Sequence, residues 1–206
     1  MRKDRKERNM KVSESAFAMS YEDIRTSLTV IAAEREWGDC AGTKSLEELI
    51  SEVEKGESFV AKVEGLGIVR VIMSVRVKVL HQDLILWELF RKKEGKISSR
   101  YLNSSLGEKM FVDEKPKDAA LRGLLEELGV TVDRNDLSAT VVDPKREVKD
   151  SGSFPGLKTV YYFYPFAVTF DSRAYKSEYI TEENGRKTCF VWIPVESWIK
   201  IQELIS

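Results

Sequence analysis

Glu114, Arg122, Glu126 and Glu127 are the residues whose types and spacing could do chemistry, within a run from Glu114 to Val130. Carboxylates are hard oxygen donors, the kind that Mg²⁺ takes in octahedral sets while keeping several waters. A helix that presents such carboxylates could hold a divalent cation. The same run has helical periodicity. Leu121, Leu124, Leu125 and Leu128 fall at i, i+3, i+4 and i+7 and predict one apolar stripe. At about 100° per residue, Ala119, Arg122, Gly123, Glu126 and Glu127 fall on the opposite side. Pro116 suits a first helical turn, and Gly129 suits a left-handed cap. The expectation is a helix that buries leucines and presents paired carboxylates. A solvated acidic face is the competing reading of the same residues.

The flanking elements must position that helix. Residues 1–20 read as a flexible basic lead, Met1-Arg2-Lys3-Asp4-Arg5-Lys6-Glu7-Arg8 having no apolar core. Residues 21–58 read as a helical extension. A helix over 21–37 carries Ile24, Leu28, Ile31 and Ala32, and Ser45-Leu46-Glu47-Glu48 reads as a capping box opening a second helix to Glu54. From Phe59 the pattern becomes β. Ile68 to Val79 is β-branched, His81-Gln82-Asp83 reads as a turn, Leu84 to Phe90 as a strand and Arg91 to Lys96 as a polar loop. After the helix, strands are expected over 139–142, 159–170 and 188–193, and a closing helix over 195–205.

The Glu114–Val130 segment resembles the Nudix box, G-x5-E-x7-R-E-U-x-E-E-x-G-U with U aliphatic. Glu114, Arg122, Leu124, Glu126, Glu127, Gly129 and Val130 fall at matching positions. Two positions depart from it: Glu108 stands at the opening glycine, and Gly123 stands at the first glutamate of R-E-U-x-E-E. Ser153 to Leu157 is similar to a loop of uncharacterised plant and algal Nudix-like proteins. The resemblance implies an α+β fold, a Nudix-type α/β/α sandwich with a mixed sheet, over residues 59–206. It implies a hydrolase that cleaves a diphosphate linkage in a nucleoside diphosphate derivative or similar small molecule, with Mg²⁺ or Mn²⁺; the two widely separated cysteines make a reducing, cytoplasmic interior the default. By the same resemblance Glu126, Glu127 and Arg122 are catalytic, and Glu126, Glu127, Glu114 and a downstream carboxylate are metal ligands. Glu178, Glu182 and Glu183 are the downstream candidates, with Glu182 favoured. Arg91 and Arg100, with Lys92 and Lys93, are candidate phosphate contacts; Trp87, Tyr101 and Phe154 are candidates for stacking on a base.

Gly123 divides two functions. A glutamate there would converge with Glu126 and Glu127, whose side chains diverge by about 100°. Its absence favours a Nudix-fold binding or regulatory module that has lost hydrolysis; the retained acids favour a hydrolase. Glu108 is a candidate stand-in for the missing carboxylate, against the reading of an exposed loop glutamate. If a ligand gap limits catalysis, Gly123→Glu should raise metal affinity or turnover.

Bulk properties bound the rest. The 206 residues carry a formal net charge of −1, which gives no argument for nucleic-acid or membrane affinity, so nucleic acid is not expected as a partner. Hydrophobic content of 42% and charged content of 33% are those of a globular protein. No apolar run approaches the ~20 residues that cross a bilayer. Cys40 and Cys189 have no zinc spacing and read as small packed residues. His81, the single histidine, is assigned no catalytic part. Homodimerisation stays open.

Overall fold

The computed structural model describes residues 17–98, 104–183 and 185–205. The basic lead up to residue 16, Arg100 and Tyr101 lie outside them. In chain order the elements are β1 (Phe17–Ala18), α1 (Tyr21–Glu34), α2 (Leu46–Glu54), β2 (Phe59–Val63), β3 (Gly67–His81), β4 (Leu84–Lys93), β5 (Lys96–Ser98) and β6 (Leu106–Lys109). Then follow α3 (Pro116–Leu128), β7 (Ser138–Ala139), β8 (Lys145–Asp150), β9 (Lys158–Thr169), β10 (Glu178–Glu183), β11 (Arg186–Pro194) and α4 (Val195–Ile205). The fold is α+β. None of the helices among the described residues is long and apolar enough to cross a membrane.

The chain divides into two compact units: residues up to Ile72 with Glu147–Tyr161, and Met73–Arg146 with Tyr162–Ser206. In the first, Ser20 caps α1 by accepting from the Asp23 N–H, and Ser45 with Glu48 closes the expected capping box on α2. Helix α1 ends at Glu34, three residues short of the expected 37. Glu36 turns left-handed (φ 51°), and the chain folds back to bury Trp37, whose indole N–H donates to the Pro155 carbonyl at 2.9 Å. Burial of a large aromatic with its polar edge satisfied outweighs one more helical turn. Ile24, Leu28, Leu49, Ile50, Val60 and Phe154 close this core. Phe154 is fully buried, its ring 5.2 Å from Trp37, so it does not stack on a base. Glu52 and Arg70 form a buried ion pair beneath it, with Lys44 also on Glu52 at 2.6 Å. Cys40 is exposed rather than packed; its thiol donates to Glu36 at 3.2 Å, while Cys189, in the second unit, is buried as expected.

In the second unit, β3 pairs antiparallel with β6 through Ser74–Val77 and with β4 through Leu80 and His81. Strand β4 pairs with β11, and β11 with β10. The expected polar loop at 91–96 is a hairpin: Lys93 faces Lys96, and Glu94 (φ 50°) and Gly95 (φ 79°) form a two-residue turn. Two left-handed residues match the twist of the flanking strands, and polarity alone conceals this. The strand expected at 139–142 stops at Ala139; Val142 is 98% exposed, and β-branched residues without neighbours make no strand. Helix α3 packs on β6 and β10, and α4 on β11 and β4. Val75, Val77, Leu106, Leu124, Leu128, Phe166 and Phe190 form the core. His81 ends β3; its ring stacks on Tyr175 at 4.3 Å, and its Nδ1 lies 2.8 Å from the Phe170 carbonyl.

Candidate active site

Pro116 opens α3, and Gly129, at φ 66°, closes it as expected, its N–H donating to the Leu125 carbonyl. The buried face differs from the leucine stripe. Ala119, Ala120, Gly123, Leu124, Glu127 and Leu128 are buried, whereas Leu125 is 53% exposed. The helix is rotated because Ala119 and Gly123 let it approach β6 closely. Glu126 and Glu127 thereby part company, Glu126 facing solvent and Glu127 facing inward.

Arg122 organises the outer part of the site. Its Nε and Nη2 donate to the two Glu114 oxygens, both at 2.9 Å, in the bidentate geometry that guanidinium favours. Its Nη1 donates to Glu108 at 3.1 Å and to Glu126 at 3.0 Å, and Nη2 also reaches the Lys109 carbonyl at 2.7 Å. The Phe111 ring lies 4.8 Å from the guanidinium. Glu114, foremost, and Glu108 hold the Arg122 proton more firmly than usual. Glu114 is thus committed to anchoring Arg122 and to the Phe111 N–H. Burial raises the proton affinity of Glu108 first of all; Arg122 opposes this, and the nearby charges of Glu126 and Glu127 reinforce it.

A second network lies under Glu127. Arg91 Nη2 stands 3.6 Å, and Arg186 Nη2 3.8 Å, from one Glu127 oxygen, and Arg91 Nε stands 2.9 Å from Glu88. Residues three apart on a flat strand point to opposite faces. Here the register of β4 against β11 shifts: Phe90 faces Cys189, but Glu88 faces Phe190, so Leu89 is the extra residue of a bulge. The bulge returns Arg91 to the face of Glu88. Arg186 shares that face because it pairs with Lys93 as Thr188 pairs with Arg91. Burial raises the Glu88 carboxyl above its usual range, with Arg91 opposing. Glu88 and Arg186 were not foreseen; a lone glutamate in an apolar strand, Trp87-Glu88-Leu89, was the signal available for the first.

Gly123 meets β6. A Cβ there would stand 2.9 Å from Glu108 Cβ and 3.2 Å from its Cγ. Glu108 Cβ is rooted on a strand and cannot rotate away. The space at 123 is therefore occupied, and the expectation that Gly123→Glu alone fills a gap is corrected. Gly123→Ala is expected to lower the melting temperature. Overpacking costs about 1–3 kcal/mol, which exceeds the gain of about 1 kcal/mol that alanine brings to a helix. A thermal melt showing Gly123→Ala more stable than the parent would refute this contact.

The other foreseen residues fall as follows. Glu182 is exposed on the strand β10, beside α3; Glu178 is exposed on the same strand. The Glu183 side chain lies outside the described residues. Arg91 is nearly buried, not a surface hand, whereas Lys92 and Lys93 are exposed. Trp87 is half-buried. For a divalent cation the donor chemistry fits, since every acid here is a hard oxygen donor. Among the described residues, however, no group of three or more His, Cys, Asp or Glu stands gathered as metal ligands do. Arg122 occupies the middle, so a cation must share Glu108 and Glu126 with it.

No family model matches the chain, and no curated protein matches it. Solved structures do. An Ap4A hydrolase from C. elegans aligns at 14% identity over 65% of this chain and 87% of its own, with a TM-score of 0.33. A mutator MutT protein from Bacillus halodurans aligns at 15% identity over 63% and 72%, with a TM-score of 0.33. A MutT/nudix family protein from Enterococcus faecalis aligns at 16% identity over 84% and 64%, with a TM-score of 0.29. The solved structures this chain resembles thus include MutT and Nudix proteins.

Proposed function

We propose that this chain is a divergent Nudix-type hydrolase that cleaves a diphosphate linkage in a nucleoside diphosphate derivative or similar small molecule, with Mg²⁺ or Mn²⁺. The observation that carries the reading is the convergence of acids at the box helix. Among the described residues, Glu108, Glu114 and Glu126 meet on Arg122, and Glu127 faces Arg91 and Arg186, with Glu88 on Arg91. Carboxylates brought this close on one helix and the strands beside it are hard oxygen donors of the kind a divalent cation takes. Half-buried carboxylates side by side cost desolvation and mutual repulsion, which a bound cation offsets.

In this reading Glu126 and Glu127 hold the cation, which supplies charge neutralisation at the diphosphate and activates water. Arg122, held by Glu114, keeps the outer carboxylates in place. Arg91 and Arg186 fix Glu127 and add positive potential for a phosphate. Glu182, on the strand beside α3, is a further candidate ligand. The second reading, a ligand-binding module without hydrolysis, draws on Gly123 and on the ungathered acids.

Release of phosphate or nucleotide over a panel of nucleoside diphosphate derivatives, with Mg²⁺ or Mn²⁺ and with EDTA, tests the choice. Turnover abolished by EDTA is the expected result. Folded protein that binds panel members without turnover would replace the hydrolase with the binding module.

A further inference from the structure

The sequence departs from the box at two positions, and the fold places those two positions against each other. Glu108 stands on β6 where the pattern has glycine; Gly123 stands on α3 where the pattern has glutamate. A side chain starting from residue 123 would begin 2.9 Å from Glu108 Cβ and 3.2 Å from its Cγ. The contact has room for one carboxylate stem. Two would collide there, and none would leave a void beside Leu106, whose Cδ1 lies 3.5 Å from the same point. Either change alone is therefore costly, and the pair is tolerated. Unrelated losses at two sites need not touch; these do.

The stem now on β6 delivers its carboxylate to the face that the helix would have served. Glu108 Oε1 meets Arg122 Nη1 at 3.1 Å, and the same nitrogen meets Glu126 at 3.0 Å. The side chain keeps 22% of its surface open, so a cation can reach it. We infer that Glu108 supplies this site with the carboxylate that the box places at position 123, glutamate and glycine having traded places across the contact of β6 with α3. The inference rests on the Nudix-type reading above. It adds a carboxylate that shares the Arg122 guanidinium with Glu126, from the strand side, and makes Gly123 the accommodation for that residue rather than a lesion.

The test is Mn²⁺ binding, by electron paramagnetic resonance and calorimetry with Mn²⁺ alone, beside circular-dichroism melts and turnover. Four proteins are compared: the parent, Glu108→Gln, Gly123→Glu and the exchange Glu108→Gly/Gly123→Glu. The parent is expected to bind Mn²⁺. Glu108→Gln, which keeps shape and fold, should weaken binding about tenfold or more, since even outer partners of metal ligands are worth that much. Gly123→Glu should melt lower, through collision with Glu108. The exchange should melt higher than Gly123→Glu and regain Mn²⁺ binding near the parent value, because it returns the carboxylate to the helix. If the parent binds Mn²⁺ and turns over but Glu108→Gln binds it equally well, the inference fails and the hydrolase reading stands. A parent that binds no Mn²⁺ overturns both. Should the exchange not fold, Glu108→Gln decides alone.

Discussion

Glu126→Gln with Glu127→Gln is expected to lower metal-dependent turnover by at least about 100-fold in a protein that still folds. Both substitutions keep side-chain shape and remove one charge each, so they take two anionic donors from the site without opening a cavity. Their structural cost is small. Glu126 is half exposed, and its pair with Arg122 at 3.0 Å is an i,i+4 surface contact, of a kind worth about 0.3–0.5 kcal/mol. Glu127 is only 10% exposed and faces Arg91 at 3.6 Å and Arg186 at 3.8 Å. An amide oxygen can still accept from them, and Glu88 keeps Arg91 compensated. Steady-state turnover beside a circular-dichroism melt checks the expectation. Full activity in the folded double variant would remove the metal from this face and the catalytic assignment with it.

The largest single effect on stability is expected at Glu52→Ala, in the other unit. Glu52 and Arg70 are 6% and 5% exposed and paired with each other, and the Arg70 guanidinium lies 5.1 Å from the Phe154 ring centroid. Removing the carboxylate leaves a buried cation without its counter-charge, which costs about 3–5 kcal/mol. For a chain of this size that corresponds to a fall in melting temperature of about 10 °C. Glu52→Leu with Arg70→Met should lose far less, because replacing both partners by apolar groups of similar volume removes the desolvation penalty along with the attraction. Lys44, which also contacts Glu52, has a side chain 41% exposed and can turn to water. A thermal or urea melt of the single variant within about 1 kcal/mol of the parent would show that Arg70 finds water in the fold.

How much was legible follows the range of the forces. Helix α3 was readable to its ends because proline and glycine act on their own dihedrals. The Ser45–Glu48 box was readable because both bonds close within one turn. Helix α4 and the strands β3 and β9 were readable from periodicity and β-branched content. The foreseen residues Glu114, Arg122 and Glu126 do meet, since a guanidinium one helical turn from a glutamate and one loop from another has little choice of partner.

The sequence by itself determined the elements, their caps, and a box of acids around one arginine on a helix. The tertiary structure decided which face of that helix is buried. Leucine spacing pointed to Leu125, whereas close approach to β6 selected Ala119 and Gly123, because packing rewards shape as well as hydrophobicity. It also decided the company of Glu127. A bulge in β4 set Arg91 on the face of Glu88, and pairing with β11 brought Arg186 beside it. Above all it decided the meaning of Gly123, which in sequence is a missing carboxylate. In the fold it is the space taken by Glu108, because two residues far apart along the chain share one van der Waals contact that neither residue type nor spacing encodes.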